Sequence, residues 1–454
     1  MKNYEILPTE ANLIDMLYRN TINRNKDIAY FYEILEAQEL ASAIAIDGKW
    51  GSGKTFFVRQ TQMLINALNP FSNMEKKDKV KDSLSRFLPE HNEENCSVAI
   101  YYDAWNNDND TEPILSLIYE ITKQLSVEFS LSDKGIVKAA GAIVEAISGH
   151  NVNGIRDVLS SDDPFTVFRE QKEVEGKIKD FLTDLLAERG NRLVIFIDEL
   201  DRCKPTFAVH LLEQIKHYIF DDRITYVFSV NLEQLQHTIK HYYGINFDSC
   251  RYLDRFFDLT ITIPPADMKK FYEHIGLEST YYVDIVTKNV IKMFNFELRE
   301  ITRLYSQVKA AVYEPTHNSQ KNNFGFSSEK SKCIILIYIV PLLIGLRMAS
   351  VSKYYDFIDG RDVEPLIKLF NMDEEMPVLD NMLSPDESYI KQNGKRKVTR
   401  DEIINRFYSA IFVNQYNGRQ YTAILGDYEF SKGAKEYALR ASNMMMDYTG
   451  LSRY

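Results

Sequence analysis

The sequence predicts an α/β fold, a parallel sheet flanked by helices, followed by a helical C-terminal region. Three stretches carry that prediction. Residues 43–58, AIAIDGKWGSGKTFFV, join a short apolar run to a glycine-rich turn and a second apolar-rich run. Residues 192–203, RLVIFIDELDRC, place five consecutive apolar residues before a group of acids. Residues 224–231, ITYVFSVN, form another apolar run that ends in polar residues. Such runs, bounded by polar residues, indicate strands buried on both faces, as in a parallel sheet covered by helices.

The first stretch also carries chemistry. Gly48-Lys49-Trp50-Gly51-Ser52-Gly53-Lys54-Thr55 fits the pattern G-x-x-x-x-G-K-[ST], the P-loop or Walker A motif, between a strand and a helix. Gly48, Gly51 and Gly53 allow backbone angles that a side chain would forbid, so successive N–H groups can turn inward on a polyphosphate. The helix that starts near Lys54 directs its positive dipole end at the same anion. Lys54 is expected to reach the β- and γ-phosphates of ATP, and the Thr55 hydroxyl to hold Mg²⁺. The expected nucleotide-binding set is Gly48, Trp50, Gly51, Ser52, Gly53, Lys54, Thr55 and Phe56.

The second stretch ends in Asp198-Glu199, the Walker B arrangement. Asp198 is expected at the Mg²⁺ through its water shell. Glu199 is expected to orient and deprotonate the attacking water. An acidic pair of this kind marks the branch of P-loop proteins that hydrolyses ATP, with an additional strand between the P-loop strand and the acidic strand. The third stretch supplies Ser229 and Asn231 at its end. Asn231 reads either as a sensor of the γ-phosphate or as a cap of the helix LEQLQHTIKHYYG.

Residues 1–40 form a helical leader, with a start at Pro8-Thr9-Glu10 and a second helix from Asn25 to about Ala41. The core spans 41–267, with insertions at about 70–95 and 130–188. Residues 97–102 are a strand, and Asp103 and Trp105 follow at its C-terminal end, where open α/β sheets place ligands. Trp105 reads equally as a packing aromatic. Residues 131–160 read as an amphipathic surface helix or as a membrane-surface or partner-binding segment. Arg255 precedes the last core strand, LTITI, where ring-forming relatives of this class place a finger for a neighbour's nucleotide. The alternative is a surface ion pair with Asp254 or Asp258. A helical lid and C-terminal helical domain occupy 268–454. Arg299 and Arg303 share one helix face there, and Arg299 is a candidate phosphate contact. The apolar run 333–346 contains Pro341 and falls short of the roughly 20 residues that a membrane span takes. It reads as a buried helix kinked at the proline. Helices are also expected at about 400–412 and 430–447.

Composition sets outer bounds. The chain has 454 residues and a net charge of −11, which argues against broad nucleic-acid binding by its surface. Four cysteines stand far apart without metal-ligand spacing and read as reduced thiols of a cytoplasmic protein. The N-terminus is too polar for a secretory signal.

Taken together, the motifs resemble those of the KAP family of P-loop NTPases. The matching pieces are IDGKWGSGKTFFV, YYDAWNNDNDTEPILSLIYEI, VIFIDELDRCKP, FSVNLEQLQHTIKHYYG and YLDRFFDLTITIPP, in the family's order, over roughly 10–310. Glu199 stands where the family has a second Asp, and Asn231 where it has an Asp. Many members carry a transmembrane hairpin between the P-loop and the acidic strand, and residues 131–160 are too polar for one. The resemblance implies an ATP-driven conformational or assembly switch in bacterial antiviral defence. Self-association and a separate effector protein are the expected partnerships, with no integral span, and a slow-turnover adaptor or a membrane-peripheral scaffold is the alternative.

Overall fold

The computed structural model describes residues 6–88, 96–125, 166–218, 221–278, 281–313, 329–372, 377–390, 394–414 and 422–443. The expected segment 131–160 therefore lies outside the described residues. Two compact units are present, Ile6–Phe271 and Tyr272–Tyr454.

The first unit is built on five strands: β1 (Ser42–Asp47), β2 (Ser97–Asp103), β3 (Arg192–Asp198), β4 (Ile224–Val230) and β5 (Leu259–Thr262). Their order is β2-β3-β4-β1-β5, and every neighbouring pair is parallel. The fold is thus the expected one, with β4 as the additional strand between the P-loop strand β1 and the acidic strand β3. The pleat divides the core. Ile195 and Ile197 face one hydrophobic cluster with Phe228, Leu211 and Leu212. Val194 and Phe196 face the other, with Ile44, Ile46, Leu64 and Leu35. Because alternate side chains point to opposite faces, a strand covered on both sides must be apolar throughout, which is why RLVIFI reads as an unbroken run.

Register places the functional ends together. Asp103 lies opposite Asp198, and Asp198 opposite Ser229. Asp47 lies between Val230 and Thr262. The C-terminal ends of the strands therefore form one polar rim, the ligand edge of an open α/β sheet. At the sheet edge, β5 leaves Leu259 39% exposed.

Helices cover both faces. Thr9 caps the helix Glu10–Arg19 by accepting from the Asn12 N–H at 3.4 Å, as Pro8-Thr9-Glu10 suggests. The second leader helix is Asn25–Glu36, shorter than expected, because residues 38–41 are used to reach β1. The insertion after the P-loop helix holds a helix at Lys77–Leu84, pinned by buried Val80 and Leu84.

Among its described residues the second unit is mainly helical, with two small two-stranded sheets. Two expectations are corrected here. The apolar run does not stop short of a span length: a helical segment runs over Lys330–Ala349, 20 residues, long and apolar enough to cross a membrane by length and composition. Of its most apolar window, 72% is buried inside the structure. Pro341 sits in the first turn of Val340–Ala349, directly after a π-helical turn at Ile335–Ile339. A π turn changes the hydrogen-bond pattern where proline has no N–H to give, so the helix continues. The helix expected at 430–447 starts later, at Ala434–Asn443, because Thr422–Leu425 and Tyr428–Ser431 pair as an antiparallel hairpin. Gly426, at φ 53°, and Asp427 make its turn.

Candidate functional site

The loop after β1 has the geometry that its glycines predict. Gly51 and Gly53 adopt φ of 87° and 91°, and Gly53 caps the helix Lys54–Leu68. Gly48 is required by close approach: a Cβ there would meet Ile263 Cγ2 at 2.6 Å and Ser52 Oγ at 3.0 Å. Lys54 is buried, and its ammonium donates to the Gly48 carbonyl at 2.6 Å and the Lys49 carbonyl at 3.1 Å. Burial lowers the Lys54 pKa below the ordinary lysine value, against the opposing pull of Asp201, Asp198, Asp47 and Glu199. The Ser52 carbonyl accepts from Arg24 Nη1 at 3.0 Å, which ties the loop to the leader. Thr55 and Phe56 begin the helix, both half-buried.

The acidic pair closes the other side. Asp198 is buried at the end of β3. Its Oδ2 accepts from the Tyr101 hydroxyl at 2.9 Å, and its Oδ1 from the Glu199 N–H at 3.0 Å. Burial and the Asp198 charge push the Tyr101 hydroxyl far above its ordinary pKa, so it remains a donor. Glu199 sits at φ 60°, a left-handed conformation uncommon outside glycine and a kind of strain that clusters at functional sites. Its N–H also donates to the Ser229 carbonyl at 3.3 Å, so β4 fixes the turn. Burial pushes Asp201 upward in pKa, against hydrogen bonding by Trp50 and the charge of Lys54.

Several contacts of the site emerge only in three dimensions. Trp50 Nε1 donates to Asp201 Oδ2 at 2.5 Å, joining the P-loop to the acidic turn. Arg202 pairs with Glu199 at 2.7 Å and lies over the rings of both Trp50 and Trp105. Trp105 is therefore part of the site's rim and 50% exposed. Tyr101 and Arg24 carry no motif of their own; the register of β2 on β3 and the leader's path bring them in.

The other candidates lie on other elements. Asn231 caps the helix Leu232–Tyr243, its side chain accepting from Gln234 N–H at 3.3 Å. Its backbone hydrogen bond also helps hold Asp201 down. Arg255 follows the helix Ser249–Asp254 and lines a cavity of about 410 Å³ with Arg251, Lys216, Glu213 and Tyr252. Among the described residues it makes no ion pair with Asp254 or Asp258, and Asp258 Oδ2 accepts from the Ala43 N–H at 2.8 Å. Phe256 and Phe257 anchor this segment against Phe228 at centroid distances of 5.4 and 5.3 Å. Arg299 is exposed on the helix Leu298–Val308 of the second unit.

These residues fit a phosphate-bearing ligand. The cradle at Gly48 leaves no room for a side chain, and the Ser52 hydroxyl is buried without a hydrogen-bond partner among the described residues. No cluster of three or more His, Cys, Asp and Glu side chains arranged for a metal occurs among the described residues. A cation that takes few protein ligands and shares the phosphates, such as Mg²⁺, suits Thr55 and Asp198.

Comparison with known proteins agrees with the geometry. Residues 24–310 match the KAP family P-loop domain. A stretch of 68 residues is 35% identical to the "Uncharacterized protein MJ0182" of Methanocaldococcus jannaschii, covering 15% of this chain and 34% of that protein. The chain thus spans about a third of that relative's length. With a P-loop, an acidic strand end and an additional strand between them, matched over more than half its length, the chain belongs to the KAP family of P-loop NTPases.

Proposed function

We propose that the protein binds ATP with Mg²⁺ and hydrolyses it, converting turnover into a conformational or assembly switch. The observation that carries this reading is the acidic turn: Asp198 and Glu199 share one hydrogen-bonded corner, facing the buried Lys54. In this reading Lys54 exchanges its loop carbonyls for the β- and γ-phosphates. The N–H groups around Gly51 and Gly53 cradle the same oxygens. Glu199 accepts the proton of a water whose oxygen attacks the γ-phosphorus, releasing ADP and inorganic phosphate. Mg²⁺, held by the Thr55 hydroxyl and through water by Asp198, would neutralise phosphate charge.

Family membership and the lack of a visible nuclease or protease motif support a role in bacterial antiviral defence with a separate effector. The exposed Arg255, which among the described residues makes no ion pair with Asp254 or Asp258, supports an ATP-stabilised oligomer in which it completes a neighbour's site. The cysteine pattern supports a cytoplasmic setting, with peripheral membrane attachment as the variant.

A second reading, a slow-turnover nucleotide-gated adaptor, has its own support: Glu199 is ion-paired with Arg202 at 2.7 Å. Equilibrium binding of a fluorescent ATP analogue tests the common premise. Lys54→Ala should abolish binding, because no other side chain of the loop supplies that charge. Unchanged affinity in the variant would end the P-loop reading.

A further inference from the structure

Glu199 is bound in a way that works against a general base. Its Oε2 lies 2.7 Å from Arg202 Nη1, and the two side chains are only 16% and 20% exposed. A carboxylate oxygen engaged by a guanidinium is occupied by that donor and is not placed to accept from a water.

The guanidinium is itself held. Its Cζ lies 5.6 Å from the Trp50 ring and 5.3 Å from the Trp105 ring. These are the two tryptophans of the chain. They come from different elements, Trp50 from the loop between Gly48 and Lys54 and Trp105 from the turn after β2. Arg202 is also anchored through its backbone, donating to the Glu199 carbonyl at 3.1 Å. Trp50 has a second tether, its indole N–H on Asp201 at 2.5 Å. Nucleotide loop, acidic turn and β2 rim therefore meet on one cation.

We propose that Arg202 is a positioning residue for Glu199: held against the rings of Trp50 and Trp105, it keeps the carboxylate in a resting position. It yields the carboxylate when phosphates reorganise the loop that carries Trp50. The inference rests on the ATPase reading and adds its control. Trp50 occupies an x position of the loop, so its side chain need not touch phosphate. Its place against Arg202 gives it a task that neighbouring backbone N–H groups cannot perform. In this proposal phosphate binding displaces the Trp50 ring from Arg202, and the ion pair loses one of its two supports.

The test combines tryptophan fluorescence with single-turnover hydrolysis of ATP and Mg²⁺ on the full chain. Adding a non-hydrolysable ATP analogue should change the wild-type emission. With Trp105→Phe, Trp50 remains as the single reporter and the change should persist. Arg202→Gln should leave ATP affinity within about twofold and raise the single-turnover rate constant by about threefold or more. Its emission should already resemble that of the nucleotide-bound wild type. Arg202→Lys, which keeps the charge and loses the planar fork, should fall between the two. Trp50→Phe weakens this hold without touching Arg202 and should raise the rate constant in the same direction. Slower hydrolysis by Arg202→Gln at unchanged affinity, with wild-type emission, overturns the proposal and makes Arg202 a group needed for the aligned state. Absence of hydrolysis from both wild type and Arg202→Gln overturns this inference together with the ATPase reading. A wild type that hydrolyses ATP beside a slowed variant overturns the inference alone.

Discussion

Tyr101 donates its hydroxyl to Asp198 at 2.9 Å across the β2–β3 pair. The bond spends one oxygen of the carboxylate assigned to Mg²⁺ and leaves it one fixed orientation. Arg59 stacks over the Tyr101 ring at 5.0 Å and holds the ring from the side of the P-loop helix. The acid is thus aimed by the neighbouring strand and not only by its own.

Tyr101→Phe should therefore act on the cation and spare the phosphate cradle. Losing a hydrogen bond to a charged group costs roughly 1.5–3 kcal/mol where the partner stays buried. Solvent access at the strand end reduces this, and about a fivefold rise in the Mg²⁺ concentration for half-maximal ATP binding is expected, equivalent to roughly 1 kcal/mol. Binding measured without Mg²⁺ should be nearly unaffected. A loss that is the same with and without Mg²⁺ would assign Tyr101 to packing.

Arg255 gives the prediction about assembly. Phe256 and Phe257 hold the segment on Phe228, and the arginine is exposed. Arg255→Ala should lower turnover while the subunit's ATP affinity stays unchanged. Mixing Arg255→Ala with Glu199→Gln should restore part of the activity, because one type of interface then has both groups intact. A protein that stays monomeric with ATP bound, or a mixture without recovery, would return Arg255 to an ordinary surface role.

Much of this site is legible in the chain because its logic is local. Gly48, Gly51, Gly53, Lys54 and Thr55 are neighbours in sequence and act through backbone geometry that glycine alone supplies cheaply. Asp198 and Glu199 follow a strand whose unbroken apolar run announces its burial. Tyr101 and Arg24 are not legible, because the first depends on strand register and the second on where the leader folds. Trp105 was visible as a strand-end aromatic, but its contact with Arg202 was not. The hairpin at Thr422–Ser431 had a signal in the turn pair Gly426-Asp427 and in the alternation of Tyr428 and Phe430 around Glu429. The continuous helix through Pro341 had none, since a π turn has no simple pattern.

The second unit offers a pH test. Glu387 is buried and accepts from Arg406 Nη1 at 2.9 and 3.0 Å. Burial alone would raise its pKa, but the Arg406 hydrogen bonds prevail and hold it below the ordinary glutamate value. The unfolded chain then binds this proton more readily than the folded one. The pair's stabilisation is present above the unfolded pKa and is lost as pH falls through the folded value. Thermal unfolding of the wild type should therefore show a loss of stability below about pH 4 that Glu387→Gln lacks. The variant should be less stable than wild type at pH 7. Parallel pH profiles for the two proteins would show that the ion pair contributes nothing.

The most direct test of the central claim is single-turnover hydrolysis by Glu199→Gln beside measured ATP affinity. Glutamine keeps the shape at φ 60° and cannot accept the proton. ATP affinity should stay within about twofold while turnover falls by about 100-fold or more, the scale of a lost general base. Turnover equal to wild type, with ATP bound normally, would contradict the assignment of Glu199 as the base.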